Sequence, residues 1–401
     1  YVHLVIVELD EMGTALLLQA LRMCHYPNYT EVDPTLGEKR TKGINQHKTK
    51  ITIIDPELYA MGKRAQLESH YPYINLIEDI EVEFVDTHLG DPRAQEIIAR
   101  VAQDVHAVMT IVINHPAPDE ALSMGLNLPE AVYYQKDMVV RNERGQTIEN
   151  RINNTVLVRQ ELKEGLSDIL DEDVIRFNHV YTYGMGNQEI DLDCFDDLIP
   201  MYFNADYEWN EWVKQAANQQ ELEGRVNTSI DRLFEIVETY KQTKDKAAKV
   251  AFVEHFTQVN AYWGVLLEKL RWSNRYTLDV FGNTIRYLKW VFPDKSYQEM
   301  RTMLMEKKDE QAQEVSLCIA KMNKMRWNAE KLVAGYRPAQ PGEVKDNEFM
   351  IHPLIIPFYQ MLKESPEELD KDDQITINLL FMLEIFEEYR EEFEELKDGV
   401  C

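Results

Sequence analysis

The chain has 401 residues, 44% of them apolar, enough for true hydrophobic cores and, by length alone, for two or three domains. Its 70 Asp and Glu against 43 Lys and Arg leave a net charge of −27. That balance excludes a general nucleic-acid binder, because phosphate contacts need clustered cations, but leaves room for a small anion in a local basic pocket.

The first half alternates β-rich runs with amphipathic stretches. The runs are VHLVIV (2–7), KITIID (50–55), VEFVD (82–86), HAVMTIVI (106–113), NTVLVR (154–159) and NHVYTYG (178–184). Between them lie the helical patterns MGTALLLQALRM, ELYAMGKRAQLESH, DPRAQEIIARVAQ, PDEALSMGL and QELKEGLSDIL. Apolar strands separated by helices predict a mainly parallel sheet covered on both faces, an α/β doubly wound, Rossmann-like fold. Residues 27–48 read as an inserted loop, and 136–153 as a second excursion with a hairpin around Arg144-Gly145. After Pro200 no proline occurs until Pro293, and apolar residues recur at helical spacing, so a helical region is expected over about 205–335, stopped by Gly335. HPLIIPFYQML and a long acidic helix follow, the latter with an apolar stripe of Leu379, Leu383, Phe386, Phe393 and Leu396.

Cys24, Cys194, Cys318 and Cys401 are far apart and form no CxxC pair or Cys/His ligand spacing. Neither a disulfide framework nor a metal site is expected, and the compartment reads as the reducing cytoplasm. No apolar run reaches the roughly 18 residues of a membrane span. The chain starts at Tyr1 rather than Met, so the expectation extends to the cytosolic part of a longer protein with a membrane segment upstream.

The turn VIVELDEMG (5–13) occupies the place of a dinucleotide-binding loop. In GxGxxG the first glycine permits the turn, the second admits pyrophosphate and the third lets helix and strand pack closely. With the third glycine at Gly13, the first two positions hold Glu8 and Asp10, and Met12 precedes Gly13. An acidic side chain at position 10 would oppose an anion at the helix N-terminus. Asp55, at the end of the second run, has the type and place of a ribose acceptor, and Asp86 with Thr87 and His88, Asn114 with His115, and Arg159 stand at other strand ends. Ligands of open α/β sheets sit outside these carboxyl ends. Asp10, Met12, Gly13, Asp55, Asp86 and Asn114 are thus the candidates for NAD or another nucleotide, although the turn itself speaks against the usual dinucleotide pose. No GxSxG elbow, HExxH or Walker loop is present, and no catalytic residue is assigned.

YVHLVIV followed by MGTALL resembles the start of the TrkA-N, or RCK-type, regulatory Rossmann domains of bacterial potassium channels and transporters. KMRWNAEKLVAGYRP (324–338), HPLIIPFYQML (352–362) and ELDKDDQ (368–374) resemble the ryanodine-receptor-type (RyR) repeat domain of bacterial proteins. The family's helix Trp and Lys, Gly–aromatic pair, His-Pro and acidic-Lys-x-Asp segment fall on Trp327, Lys331, Gly335-Tyr336, His352-Pro353 and Lys371-Asp372. The resemblance implies a bacterial protein that joins the two domains and senses nucleotide-derived ligands, with roles in ion-channel gating or antiviral signalling. Arg326, Trp327, Lys331, Tyr336 and Arg337 combine cations with aromatic faces, chemistry that grips phosphate and stacks a base. KLRWSNRYTLD (269–279) repeats it with Arg271, Trp272, Arg275 and Tyr276. The alternative for each box is aromatics in a core and cations paired with the many carboxylates.

The expected domains are 1–200 Rossmann-like, 201–310 a helical connection and 311–401 RyR-type. The expected function is regulatory: a nucleotide-like anion bound by the RyR-type domain, signalled to a homo-oligomer or a membrane effector. The alternatives are an enzyme using NAD or a nucleotide in the crevice, and a protein-interaction scaffold.

Overall fold

The computed structural model describes residues 1–29, 47–141, 147–160, 175–184, 197–216 and 219–397. Their contacts divide into two compact units, one formed by residues 1–192 with 324–364 and the other by 193–323 with 365–401.

The first unit is α/β. Its strands are β1 (Val2–Val7), β2 (Thr49–Ile54), β3 (Ile80–Val85) and β4 (Val108–Ile113), then a hairpin of β5 (Lys136–Arg141) and β6 (Thr147–Ile152), then β7 (Thr155–Arg159) and β8 (Val180–Tyr183). Six of them form one sheet in the order β3-β2-β1-β4-β7-β8, with every pairing parallel. All six expected strands are present. The helices α1 (Glu11–Met23), α2 (Lys63–His70), α3 (Pro92–Gln103) and α4 (Pro118–Leu126) connect them. One sheet face buries Val5, Val7, Ile54 and Val85 against Ile98 of α3 and Leu122 of α4. The other buries Ile6, Ile51 and Ile53 against Leu17 and Leu21 of α1.

The helix expected from position 57 begins only at Lys63. Asp55 accepts the Glu57 amide at 2.6 Å, which turns the chain, and Gly62 takes a left-handed φ of 68° just before the helix. The hairpin strands pair Lys136 with Ile152 through Arg141 with Thr147, while its Arg144-Gly145 turn lies outside the described residues. Residues 30–46 of the first insertion, residues 161–170 of the helix expected at 160–170, and Cys194 and Cys401 also lie outside them.

The second unit is helical: α5 (Leu198–Gln215), α6 (Ile230–Thr243), α7 (Lys246–Val265), α8 (Glu268–Val291), α9 (Tyr297–Glu306) and the first part of α10 (Glu310–Val333). Pro200 falls in the first turn of α5, where its missing N–H costs nothing, so the helical region starts earlier than position 205. The chain then returns to the first unit with β9 (Arg337–Pro338), β10 (Ile351–His352) and α11 (Phe358–Glu364). It finishes in the second with α12 (Glu367–Glu388) and α13 (Arg390–Lys397). The acidic tail is thus two helices, hinged at Tyr389, and Leu379, Phe393 and Leu396 of its apolar stripe are buried in the helical core. Lys371-Asp372 fall within α12, with side chains outside the described residues. No described helix is long and apolar enough to cross a membrane.

The stretch expected as one domain over 311–401 is therefore shared between the units. Ala329, Leu332, Val333 and Ile355 join the same buried cluster as Ile6, Leu17 and Ile53, so residues 324–364 complete one layer of the sheet unit.

Candidate functional site

The sheet order places β1 and β4 side by side where the winding reverses, the point at which doubly wound sheets open a crevice at their carboxyl ends. Glu8 leaves β1 with φ 69°, the left-handed backbone that a glycine would adopt without strain. Gly13 is required by space. A Cβ there would lie 2.2 Å from the Glu8 carbonyl oxygen and 3.2 Å from Asn114 Nδ2. Asn114, fully buried, donates from Nδ2 to the Val7 and Glu8 carbonyls, both at 3.3 Å, and its Oδ1 accepts from the Tyr183 hydroxyl. One amide thus ties the ends of β1, β4 and β8.

Asp10 caps α1. Its Oδ1 accepts from the Gly13 amide at 2.7 Å and its Oδ2 from Arg159 at 3.0 Å. The chain's own carboxylate therefore fills the helix N-terminus where a pyrophosphate would sit, and Arg159 neutralises it. Asp55 is fully buried and accepts from the Leu9 amide at 2.7 Å, the Glu57 amide at 2.6 Å and Lys63 Nζ at 2.8 Å. Those three donors occupy both of its oxygens and fasten β2 to the β1 turn. Met12 is half-buried in the first turn of α1, and Asp86 is exposed after edge strand β3. His115 Nε2 lies 3.6 Å from Glu8 and 3.4 Å from Glu120. Burial raises the Glu8 carboxyl above its ordinary value; His115 opposes the shift, and the nearby Asp55 and Asp10 add to it. Sequence reading did not single out Tyr183 or the Glu8–His115–Glu120 group. The only signal was a polar residue at the end of each strand.

The C-terminal motif residues converge in the first unit. Trp327 and Lys331 share a face of α10, one turn apart. Gly335, at φ 92°, ends the helix, and the Tyr336 amide closes it on the Lys331 carbonyl at 2.9 Å. The short pairing of β9 with β10 then brings His352 back. Its ring meets Trp327 edge-on, with centroids 4.8 Å apart at 76°, and Tyr336 at 6.3 Å and 69°. Lys331 Nζ lies 5.6 Å from the Trp327 ring centre and Lys324 Nζ 4.7 Å.

Carboxylates engage the cations here. Arg326 is buried and pairs with Glu330 at 2.8 Å, and Lys331 meets the same Glu330 at 2.9 Å. Arg337 grips Glu343 with two bonds of 2.7 and 2.8 Å, which holds that carboxyl down to about 2.

The second box lies in the helical unit. Arg271 donates to the Trp263 and Gly264 carbonyls, both at 3.1 Å, closing the end of α7. Arg275 forks onto Asp197 with two 2.7 Å bonds and reaches Glu268 at 2.7 Å. Trp272 and Tyr276 rings lie 5.6 Å apart, and the Arg275 guanidinium is 4.8 Å from Trp272. The fold thus separates the two boxes into different compact units. Among the described residues no group of three or more His, Cys, Asp and Glu side chains is placed to hold a metal ion.

Comparison of the chain with protein-family models, with curated proteins and with solved structures finds no match.

Proposed function

We propose that the chain is a regulatory protein that binds a nucleotide-like anion at Trp327, Lys331, Tyr336 and His352. The observation that carries this reading is the convergence of three rings and an ammonium group drawn from a helix, its capping turn and a strand. Ring faces stack a base, Lys331 offers its charge to phosphate, and Arg337 can exchange the Glu343 fork for a phosphate fork of the same geometry. The strand-end crevice is less suited to an anion, because Asp10 takes the seat at the α1 N-terminus. Binding would signal to a homo-oligomer or membrane effector only through a difference in affinity between two states.

The test is a melting-temperature titration with ATP, ADP-ribose, cyclic mono- and dinucleotides and NAD(H), since any ligand that prefers the folded chain stabilises it by mass action. At least one phosphate-bearing nucleotide should raise the melting temperature. Trp327→Ala and Lys331→Ala should each weaken that response at least tenfold while leaving the far-ultraviolet circular dichroism unchanged. A response to NAD(H) alone, or one indifferent to both substitutions, would overturn the reading.

A further inference from the structure

The opposite end of the sheet carries a feature that neither the crevice nor the aromatic box uses. In a parallel sheet covered on both faces, inward side chains are normally apolar. Here the face beneath α3 turns polar at the amino ends of β1, β2 and β3. His3 and Thr52 are buried on it, at 5% and 1% exposure, and Lys50, Glu81 and Glu83 share it by the two-residue alternation of the strands. Together with Arg100 of α3 and Asp104 just after it they line a groove of about 390 Å³, closed at one side by Tyr1.

Folding alone does not account for this groove. His3 Nε2 is bonded to the Thr52 hydroxyl at 2.8 Å, while its buried Nδ1 has no partner. Whichever nitrogen carries the proton, one hydrogen-bonding site of the imidazole is left unmet, a costly state for a buried group. Burial accordingly pushes the His3 imidazole down to about 4, so the ring is neutral near pH 7. Around it, Lys50, Arg100, Glu81 and Glu83 make no ion pair with any described residue, although Lys50 lies 5.6 Å from the Tyr1 ring centre. A third carboxylate of the lining, Asp104, already accepts from the Tyr1 hydroxyl at 2.7 Å and the His106 amide at 2.9 Å. Two cations, Lys50 and Arg100, and two carboxylates, Glu81 and Glu83, thus face one small groove without neutralising one another.

We propose that this groove binds a small zwitterion, a molecule bearing an ammonium group and a carboxylate or phosphate, of the size of a free amino acid. Glu81 and Glu83 on the edge strand take the ammonium end, Lys50 and Arg100 take the anionic end, and His3 Nδ1 and Thr52 on the floor hydrogen-bond between them. A volume of about 390 Å³ suits a compact polar ligand of this size. A lone anion or a lone cation would leave two like-charged side chains unmatched.

The experiment uses the full chain. Each of the proteinogenic amino acids and phosphoethanolamine is titrated separately and read by melting temperature and by the imidazole nitrogen signals of His3. The controls are N-acetylated and carboxamide forms, each lacking one charge. At least one zwitterion should raise the melting temperature and move the His3 signals. The blocked forms should bind at least tenfold more weakly, as should Glu83→Gln and Lys50→Met, whose side chains make no folding contact with a charged partner. Trp327→Ala should leave the response intact, which separates it from the nucleotide site. Binding by amino acids points to a carboxylate at the Lys50–Arg100 end, and binding by phosphoethanolamine to a phosphate there. Absence of any zwitterion response, or equal binding of the blocked forms, would overturn the proposal.

Discussion

Glu8 and Gly13 hold the first turn of the sheet unit from its two sides. Gly13 meets the Glu8 carbonyl so closely that a methyl group would sit 2.2 Å from it, and the obstacle is backbone, which cannot rotate aside. Gly13→Ala is therefore expected to cost about 2 kcal/mol, in the range of an overpacked core site. Glu8→Gly should act differently. Relief of the left-handed backbone is worth about 1 kcal/mol, and the extra freedom of glycine in the unfolded chain returns most of it. Urea unfolding of the two variants checks this, and a neutral Gly13→Ala would mean that the strand and helix are not held at this separation. The packing role of Gly13 was legible, because the spacing from the strand end assigns it. The opposition of Asp10 to pyrophosphate was legible from its charge alone. Asp55 was not. Its three donors come from Leu9, Glu57 and Lys63, and only folding shows that they occupy the oxygens a ribose would need.

Elements place titratable groups as well as apolar ones, and α5, α6 and α7 do so with opposite signs. His255 of α7 is buried, stacked 5.7 Å from the Tyr202 ring and 3.4 Å from the Ser229 carbonyl, and burial lowers its imidazole to about 4. A depressed pKa gives stability that is present above the unfolded value near 6.5 and lost as pH falls through 4. Asp206 of α5 is buried, accepts from the Ile230 amide, Asn210 and Asn378, and burial raises it to about 6. Its contribution is present below the unfolded value of 3.8 and lost as pH rises through 6. The two trends oppose each other between pH 4 and 6. His255→Phe removes one of them, so acidification across that window should now stabilise α6 and α7, by up to about 2–3 kcal/mol relative to wild type. Amide exchange in those helices, corrected for intrinsic rates, measures the opening free energy; an unchanged slope would place His255 in a more solvated setting. A smaller test concerns α9, where the Ser296 hydroxyl oxygen accepts from the Glu299 amide and the Glu299 carboxylate accepts from the Ser296 amide. Ser296→Ala should cost about 1 kcal/mol. The strands were readable because each is an apolar run between turn residues. The polar seam of Asp206, Asn210 and Asn378 was not, since helical spacing names a face and not its partner.

At the scale of the whole molecule, the C-terminal segment belongs to a layer begun more than 300 residues earlier. An apolar stripe on α10 announces burial, but nothing in its period says that Leu332, Val333 and Ile355 will lie with Ile6, Leu17 and Ile53. Fully burying a large aliphatic side chain is worth about 1.5–3 kcal/mol, so these three together rival the roughly 5–15 kcal/mol that holds a domain folded. Residues 1–192 expressed alone should consequently lose cooperative melting and bind a hydrophobic dye, with strand content retained but tertiary packing loosened. A peptide of residues 324–364 added in trans should restore part of the transition, because it carries both the Ala329–Val333 turn and Ile355. Leu332→Ala in that peptide should weaken the rescue by about 2 kcal/mol or more, whereas Lys331→Ala, on the aromatic face of the same helix, should not. A fragment 1–192 that melts as sharply as the full chain would show that the sheet unit closes its own core. The motif segment would then be an appendage to that unit and not one of its layers.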